Sequence, residues 1–404
     1  MFEFFTSQFG FSLLLVAGLF GLILGCVAYC ILLERKVCAW IQDRRGPNRA
    51  GPAGLLQPVA DGLKFFLKED IISFNVDRPI FILAPAMAFM VAMIGFAVIP
   101  WGGEVDLGGE SGPVKMQVAS VDIGLLYILA VGSLSVYGIV LGGWASNNKF
   151  SFYGGMRAAA QMLSYEIPMG LAILVVVLTS GELRLERIVA IGGDDPVMRT
   201  WNILLHPLAF VVLLITVFAE TNRTPFDLAE AEQELIGGYQ TEYSSMKLAL
   251  FYLGEYAHMI TASAFISVLF LGGWELFPFS DGIAVFHWLN HDPSISAALL
   301  RFGVLFAKVA GFIFFFMWIR WTIPRFRFDQ LMRLAWRGLV PIGIALVTLT
   351  AILVYCKKHD SVWATVGNLV ILGCVLTWVV LSKSPITGRQ AHLPSVTGTV
   401  ETKR

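Results

Sequence analysis

The sequence predicts an all-α integral membrane protein of about nine transmembrane helices, with one further amphipathic helix lying in the membrane interface. Three observations predict it. Of 404 residues, 56% are hydrophobic and only 14% are charged, where a soluble domain carries roughly 25% charge. The apolar residues gather into runs of about 20, the length that crosses a bilayer. Lys and Arg crowd into alternate connecting segments.

The runs fall at 11–33, 80–100, 121–143, 161–180, 204–220, 248–272, 303–322, 338–356 and 362–381. The first is longer than the apolar core of a signal peptide and lacks a small-residue cleavage site, so it reads as a retained span. The fifth is the shortest. With the N-terminus outside, segments 34–79, 144–160, 221–247, 323–337 and the tail from 382 are inside; they hold 20 Lys and Arg, against 7 in the outside segments. Positive charge favours the cytoplasmic side, which sets the N-terminus out and the C-terminus in. No internal repeat is evident, which weighs against an inverted-repeat transporter.

Net charge is zero, with 29 basic and 29 acidic residues, which argues against a nucleic-acid partner. Cys26, Cys30, Cys38, Cys356 and Cys374 form no C-x-x-C pair, and the six histidines show no ligand spacing. The sequence therefore offers no evident metal, haem or iron–sulfur site.

Beyond Gln57-Pro58, residues Val59, Leu63, Phe66 and Leu67 share one helical face, and Asp61, Lys64 and Lys68 the opposite one. The stretch is too short and too charged to span. It is either an ordinary amphipathic helix against neighbouring spans or the wall of an opening for an amphiphilic substrate.

A charge at mid-bilayer costs at least ~2.5 kcal/mol and marks a pathway or a pair. Glu34, in Glu34-Arg35-Lys36, lies beside the first apolar run; Glu166 precedes Pro168 in the fourth. Glu220 closes the fifth, and the loop after it carries Asp227, Glu230, Glu232, Glu234 and Glu242 against Arg223 and Lys247. At i, i+3, i+7 spacing, Asp227, Glu230 and Glu234 would line one side of a helix. The alternatives are a solvated acidic face or an acidic funnel whose crowding raises some pKa values enough for proton exchange near neutrality. Glu255 sits inside the sixth span, and Arg320 in the seventh is its candidate partner, in a functional or a purely structural ion pair.

Four groups of residues resemble a known family. Glu34-Arg35-Lys36, Arg45-Gly46-Pro47-Asn48 and the run from Gly54-Leu55 through Gln57-Pro58 to Asp61 form the first. Gly143-Trp144-Ala145-Ser146-Asn147-Asn148-Lys149 with Arg157 and Ser164-Tyr165-Glu166 form the second. Glu220-Thr221-Asn222-Arg223, Pro225-Phe226-Asp227-Leu228 and Glu230, Glu232, Glu234 form the third; Arg320, Pro324-Arg325, Arg327 and Asp329-Gln330-Leu331 form the fourth. In order and over residues 10–355, they resemble the inside loops of the NuoH family, the quinone-site membrane component of respiratory complex I, NADH:quinone oxidoreductase.

The resemblance implies a quinone-site subunit of a bacterial cytoplasmic (inner) membrane over residues 1–356, followed by an additional span and polar tail over 357–404. It implies that quinone is the substrate, and that the chain itself binds no cofactor. NADH, FMN and iron–sulfur clusters belong to partner subunits, and the partners include the peripheral-arm subunits, neighbouring small membrane subunits and lipid. It implies a proton path through Glu34, Glu166, Glu220, Glu230, Glu232, Glu234 and Glu255, with Arg35, Asp61, Phe65, Asp227 and Arg320 at the quinone chamber and its loops. Departures are local: Trp321, Thr322 and Ile323 follow Arg320, and Ala229 stands where Pro is usual. The rival readings are the homologous component of a membrane-bound hydrogenase or a ferredoxin-linked dehydrogenase, and a stand-alone ion transporter.

Overall fold

The computed structural model describes residues 7–108, 112–190, 201–230, 232–277, 288, 292–357 and 362–381, with backbone alone at 190, 232, 233, 362 and 378–381. The polar tail from 382 and much of two connecting loops, 191–200 and 278–287, lie outside the described residues.

Helix α1 runs Gln8–Ile41, its first turn capped by the Ser7 hydroxyl, which accepts from the Gly10 N–H. At 34 residues it is about 51 Å long, well beyond the ~30 Å hydrocarbon layer. Glu34-Arg35-Lys36 therefore belong to its last turns and not to a loop. After a 3₁₀ turn at Pro52–Gly54 comes α2, Gln57–Leu67, with Pro58 in its first turn. None of its residues is buried, and Val59, Leu63, Phe66 and Leu67 are exposed. The helix touches α1 and α10, but among the described residues these four apolar side chains stay largely uncovered.

Next come α3, Arg78–Ile94, a 3₁₀ extension Gly95–Val98, and a two-stranded antiparallel hairpin, β1 Glu104–Val105 with β2 Val114–Lys115. Then follow α4, Gly124–Ala145, and α5, Lys149–Ser180. The Asn148 side chain caps α5, so this helix starts well before 161 and absorbs most of the expected second loop. It also runs through Pro168 without ending.

Two short helices, α6 Leu185–Ala190 and α7 Asn202–Leu205, lead to α8, Pro207–Glu220. Proline has no N–H and disfavours helix in the residue before it. The chain accordingly leaves the helical region at His206 (φ −128°, ψ 61°). The expected fifth span is thus a 14-residue helix, about 21 Å, too short to cross unaided.

After α9, Glu232–Leu235, and a 3₁₀ turn Gly238–Gln240 come α10, Ser245–Phe270, and α11, Ile295–Thr322. Then α12, Phe328–Arg333, a π turn Leu334–Leu339 and α13, Val340–Tyr355, form one continuous helix where a fourth loop is expected. The last is α14, Val362–Leu381. Among the described residues, seven helices are long and apolar enough to span; α8 and the apolar part of α14 are shorter.

Helix α10 is the axis of the bundle: 83% of its most apolar stretch is buried, against at most half of any other span. It packs on α3, α11 and α1; α4 packs on α3 and α5, and α5 on α8 and α13. Close approach depends on glycine. A Cβ at Gly138 of α4 would lie 2.9 Å from the Ala88 Cβ of α3, and one at Gly254 of α10 would lie 3.3 Å from the Ala88 carbonyl.

Candidate functional site

One end of α1, one end of α11, the middle of α10 and the loop after α8 converge on a buried charge network. Glu34, near the end of α1, is 8% exposed. Its Oε2 accepts from the Tyr256 hydroxyl at 2.7 Å, and its Oε1 accepts from Arg320 Nη1 at 2.5 Å. Arg223, also buried, lies 4.1 Å above the Tyr256 ring, and its two terminal nitrogens sit 3.8 Å from Glu34 and 3.3 Å from Glu255. Glu255 accepts from the Tyr239 hydroxyl at 3.1 Å. Gln240 Nε2 donates to that hydroxyl at 2.8 Å and to Glu230 at 2.9 Å. Arg325 donates to Asp227 at 2.7 Å.

The loop reaches this position through a tight turn. Gln161 of α5 donates to the Ala219 carbonyl at 2.7 Å and to the Asn222 side chain at 3.1 Å. Asn222 takes a left-handed conformation (φ 49°), which Asn tolerates better than most residues. The N–H of Phe326 then donates to the Pro225 carbonyl, fastening the loop to the segment after α11.

Glu34, Glu255, Glu230 and Asp227 share the guanidinium groups of Arg223, Arg320 and Arg325. The acids outnumber the bases, so one carboxyl has an incentive to keep its proton. Burial, followed by the charges of Glu255 and Asp227, pushes the Glu230 carboxyl up to about 8. Tyr239 is driven well up by burial and by Glu255 and Glu230. Burial acts to discharge Arg223, but Tyr256, Glu255, Glu34 and Glu230 together outweigh it and hold the group charged.

Glu220, the last residue of α8, stands 3.5 Å from His258 Nε2 of α10. A cavity of about 40 Å³ touches Glu220, His258, Glu255, Tyr239 and Ser135. A second, of about 30 Å³, lies on the other side of the pair, against Gly132, Met169, Thr261 and Phe265. Each has room for water, so the gap between Glu255 and Glu220 can be bridged by hydrogen bonds.

The remaining expected residues are placed elsewhere. Glu166 accepts from the Ser133 hydroxyl, outside the network. Arg35 pairs with Asp61 at 2.8 Å between α1 and α2, and Phe65 is half-buried on α2, its carbonyl bound by Ser245. Glu234 pairs with Arg157 at 2.7 Å while its own side chain is 62% exposed. The side chain of Glu232 lies outside the described residues.

Two expectations need correction. Asp227, Glu230 and Glu234 line no common helix face: only residues 232–235 are helical, and the three acids point to Arg325, Gln240 and Arg157. Arg320 pairs with Glu34 and not with Glu255, whose arginine is Arg223. Sequence reasoning also passed over Tyr239, Gln240, Tyr256 and His258. The signal available was periodicity, since Glu255 and His258 are three apart on a helix.

A bundle of apolar helices around a buried set of carboxylates and arginines, with small cavities beside it, defines a multi-pass membrane protein equipped to handle charge inside a bilayer. The model of the NADH dehydrogenase family matches residues 14–351. The chain is 48% identical over 337 residues to an NADH-quinone oxidoreductase H subunit of Cytophaga hutchinsonii, covering 83% of this chain and 94% of that protein. It is 49% identical over 333 residues to the H subunit of Flavobacterium johnsoniae (82% and 91%), and 47% identical over 330 residues to that of Rhodospirillum rubrum (81% and 89%). The chain belongs to this family, the membrane-embedded H subunits of NADH-quinone oxidoreductase, and its partners are other subunits of complex I.

Proposed function

We propose that this chain supplies the membrane wall of a quinone chamber and carries protons away from it along the buried carboxylates. The observation that carries the reading is the chain of polar contacts from Glu34 through Tyr256 and Arg223 to Glu255, separated from Glu220 and His258 only by the 40 Å³ cavity that touches all three. Glu230 joins it through Gln240 and Tyr239. Reduction of a quinone takes two electrons and two protons. The electrons come from clusters on the peripheral-arm partners, as do NADH and FMN chemistry. The protons come from titratable groups at the chamber, and each one lost changes the charge its neighbours feel. The exposed apolar face of α2 beside the Arg35–Asp61 pair suits the rim through which a long-tailed quinone leaves the bilayer. In this reading the N-terminus is outside and the network opens toward the inside face.

Exchanging Glu220 for Gln tests the proposal. The variant keeps NADH oxidation by a hydrophilic artificial acceptor and loses quinone-linked proton pumping by about tenfold or more. Wild-type pumping with quinone would refute it.

A further inference from the structure

The family match ends at residue 351, which leaves α14 beyond the shared architecture. Its contacts are not those of a helix that merely faces lipid. Ala364 and Asn368 are fully buried, and Gly367 approaches Leu349 of α13 so closely that a Cβ there would meet its side chain at 2.7 Å. These positions form one face (i, i+3, i+4), with Ile371 continuing it against the core. The opposite face exposes Trp363, Val366, Leu369 and Val370.

The buried face of α14 meets the break in the short fifth span. Thr365 Oγ1 donates to the Leu204 carbonyl at 2.9 Å, and Asn368 Nδ2 lies 3.3 Å from His206 Nδ1. Asn368 also holds its own helix through the Ala364 carbonyl at 2.8 Å. Both partners need this help. Leu204 and His206 stand at the junction of α7 and α8, where proline at 207 interrupts the helical hydrogen bonds. Non-helical backbone at membrane depth persists only where protein or water satisfies it. His206 is wholly buried; Asn368 gives its Nδ1 a partner, while Nε2 has none among the described residues, so losing the Asn368 contact would leave both ring nitrogens unpaired.

We infer that α14 is a built-in clamp: it docks by Asn368 and Thr365 on the gap between α7 and α8 and seals the broken span against the bilayer. This holds whether or not Glu220 conducts protons, because the clamp acts at the other end of α8.

A double-mutant cycle in the intact complex tests it. The readout is the half-life of quinone reductase activity at an elevated temperature. His206→Ala and Asn368→Leu each shorten it by about fivefold, and the double variant is no worse than the poorer single one, because each removes the same contact. Thr365→Val gives a smaller loss in the same direction, and Leu369→Ala on the exposed face gives none. Strictly multiplicative losses, or an Asn368→Leu enzyme as durable as wild type, would overturn the clamp. If His206→Ala prevents assembly, the comparison of Asn368→Leu and Thr365→Val with Leu369→Ala decides it alone. A failure of the Glu220→Gln experiment leaves every one of these outcomes unchanged.

Discussion

At the scale of single residues, Arg223 is the centre of the network. It reaches Glu34 and Glu255 and rests on Tyr256. Removing one partner of a buried ion pair leaves the other charge uncompensated, at a cost of about 3–5 kcal/mol. Arg223→Met is therefore expected to lower quinone reductase activity at least tenfold and to reduce the amount of assembled complex in the membrane. Arg35→Met at the partly exposed Asp61 pair changes the amount of assembled complex little, since solvent screens that pair. Activity with quinone and native-gel quantification of the complex check both.

Glu230 gives a pH prediction of definite sign. Its carboxyl is raised from 4.5 to about 8, so the fold holds the proton more tightly than the unfolded chain. The stabilisation is complete below the unfolded value and is lost as pH rises through about 8. Glu230→Gln mimics the protonated form at every pH. The heat stability of the variant relative to wild type should thus rise from pH 5 to pH 8. A constant difference across that range would show that Glu230 does not titrate there.

At the scale of elements, the bundle depends on how closely α3 approaches α4 and α10. Ala88 is wedged between Gly138 and Gly254, and Glu255 follows the latter directly. Gly138→Val has no room and must separate α3 from α4, which shifts α10 and the Arg223–Glu255 contact with it. The expected result is at least a fivefold loss of assembled complex, by native-gel quantification. Gly170→Ala on α5, where nothing lies within 4 Å of the added carbon, leaves the amount unchanged.

This level of organisation was only partly legible in the sequence. Spans could be read because each needs about 20 apolar residues in a row. The ends of α1 and α5 could not, since their terminal turns carry charged and polar residues that read as loop. The break at His206 had its signal in Pro207, yet the apolar run crosses it without a change in composition. The charge network was legible as a set of residues but not as a set of pairs. Glu34 and Arg320 are 286 positions apart, and no spacing rule connects them. His258 and Tyr256 looked like ordinary span residues, and Tyr239 like a loop residue, until the packing of α10 set them beside acids.

At the scale of the whole molecule, orientation decides which face of the membrane the network serves. The buried acids cluster where α1 and α11 end, against the middle of α10, toward the segments richest in Lys and Arg. The opposite end carries the β hairpin, tied down by Lys115 to Glu186 and by Gln8 to the Lys115 backbone. In the proposed orientation, with the Lys- and Arg-rich segments inside, the hairpin would face out and the proposed proton path would be fed from the cytoplasmic side. Single cysteines at Glu104 and Glu69, in a chain whose exposed Cys356 and Cys374 are replaced by Ser, separate the two orientations. A membrane-impermeant maleimide should modify Glu104→Cys in spheroplasts and Glu69→Cys only in inside-out vesicles. The reverse pattern would turn the molecule over, leave every contact in the network intact, and make the outer face the source of its protons.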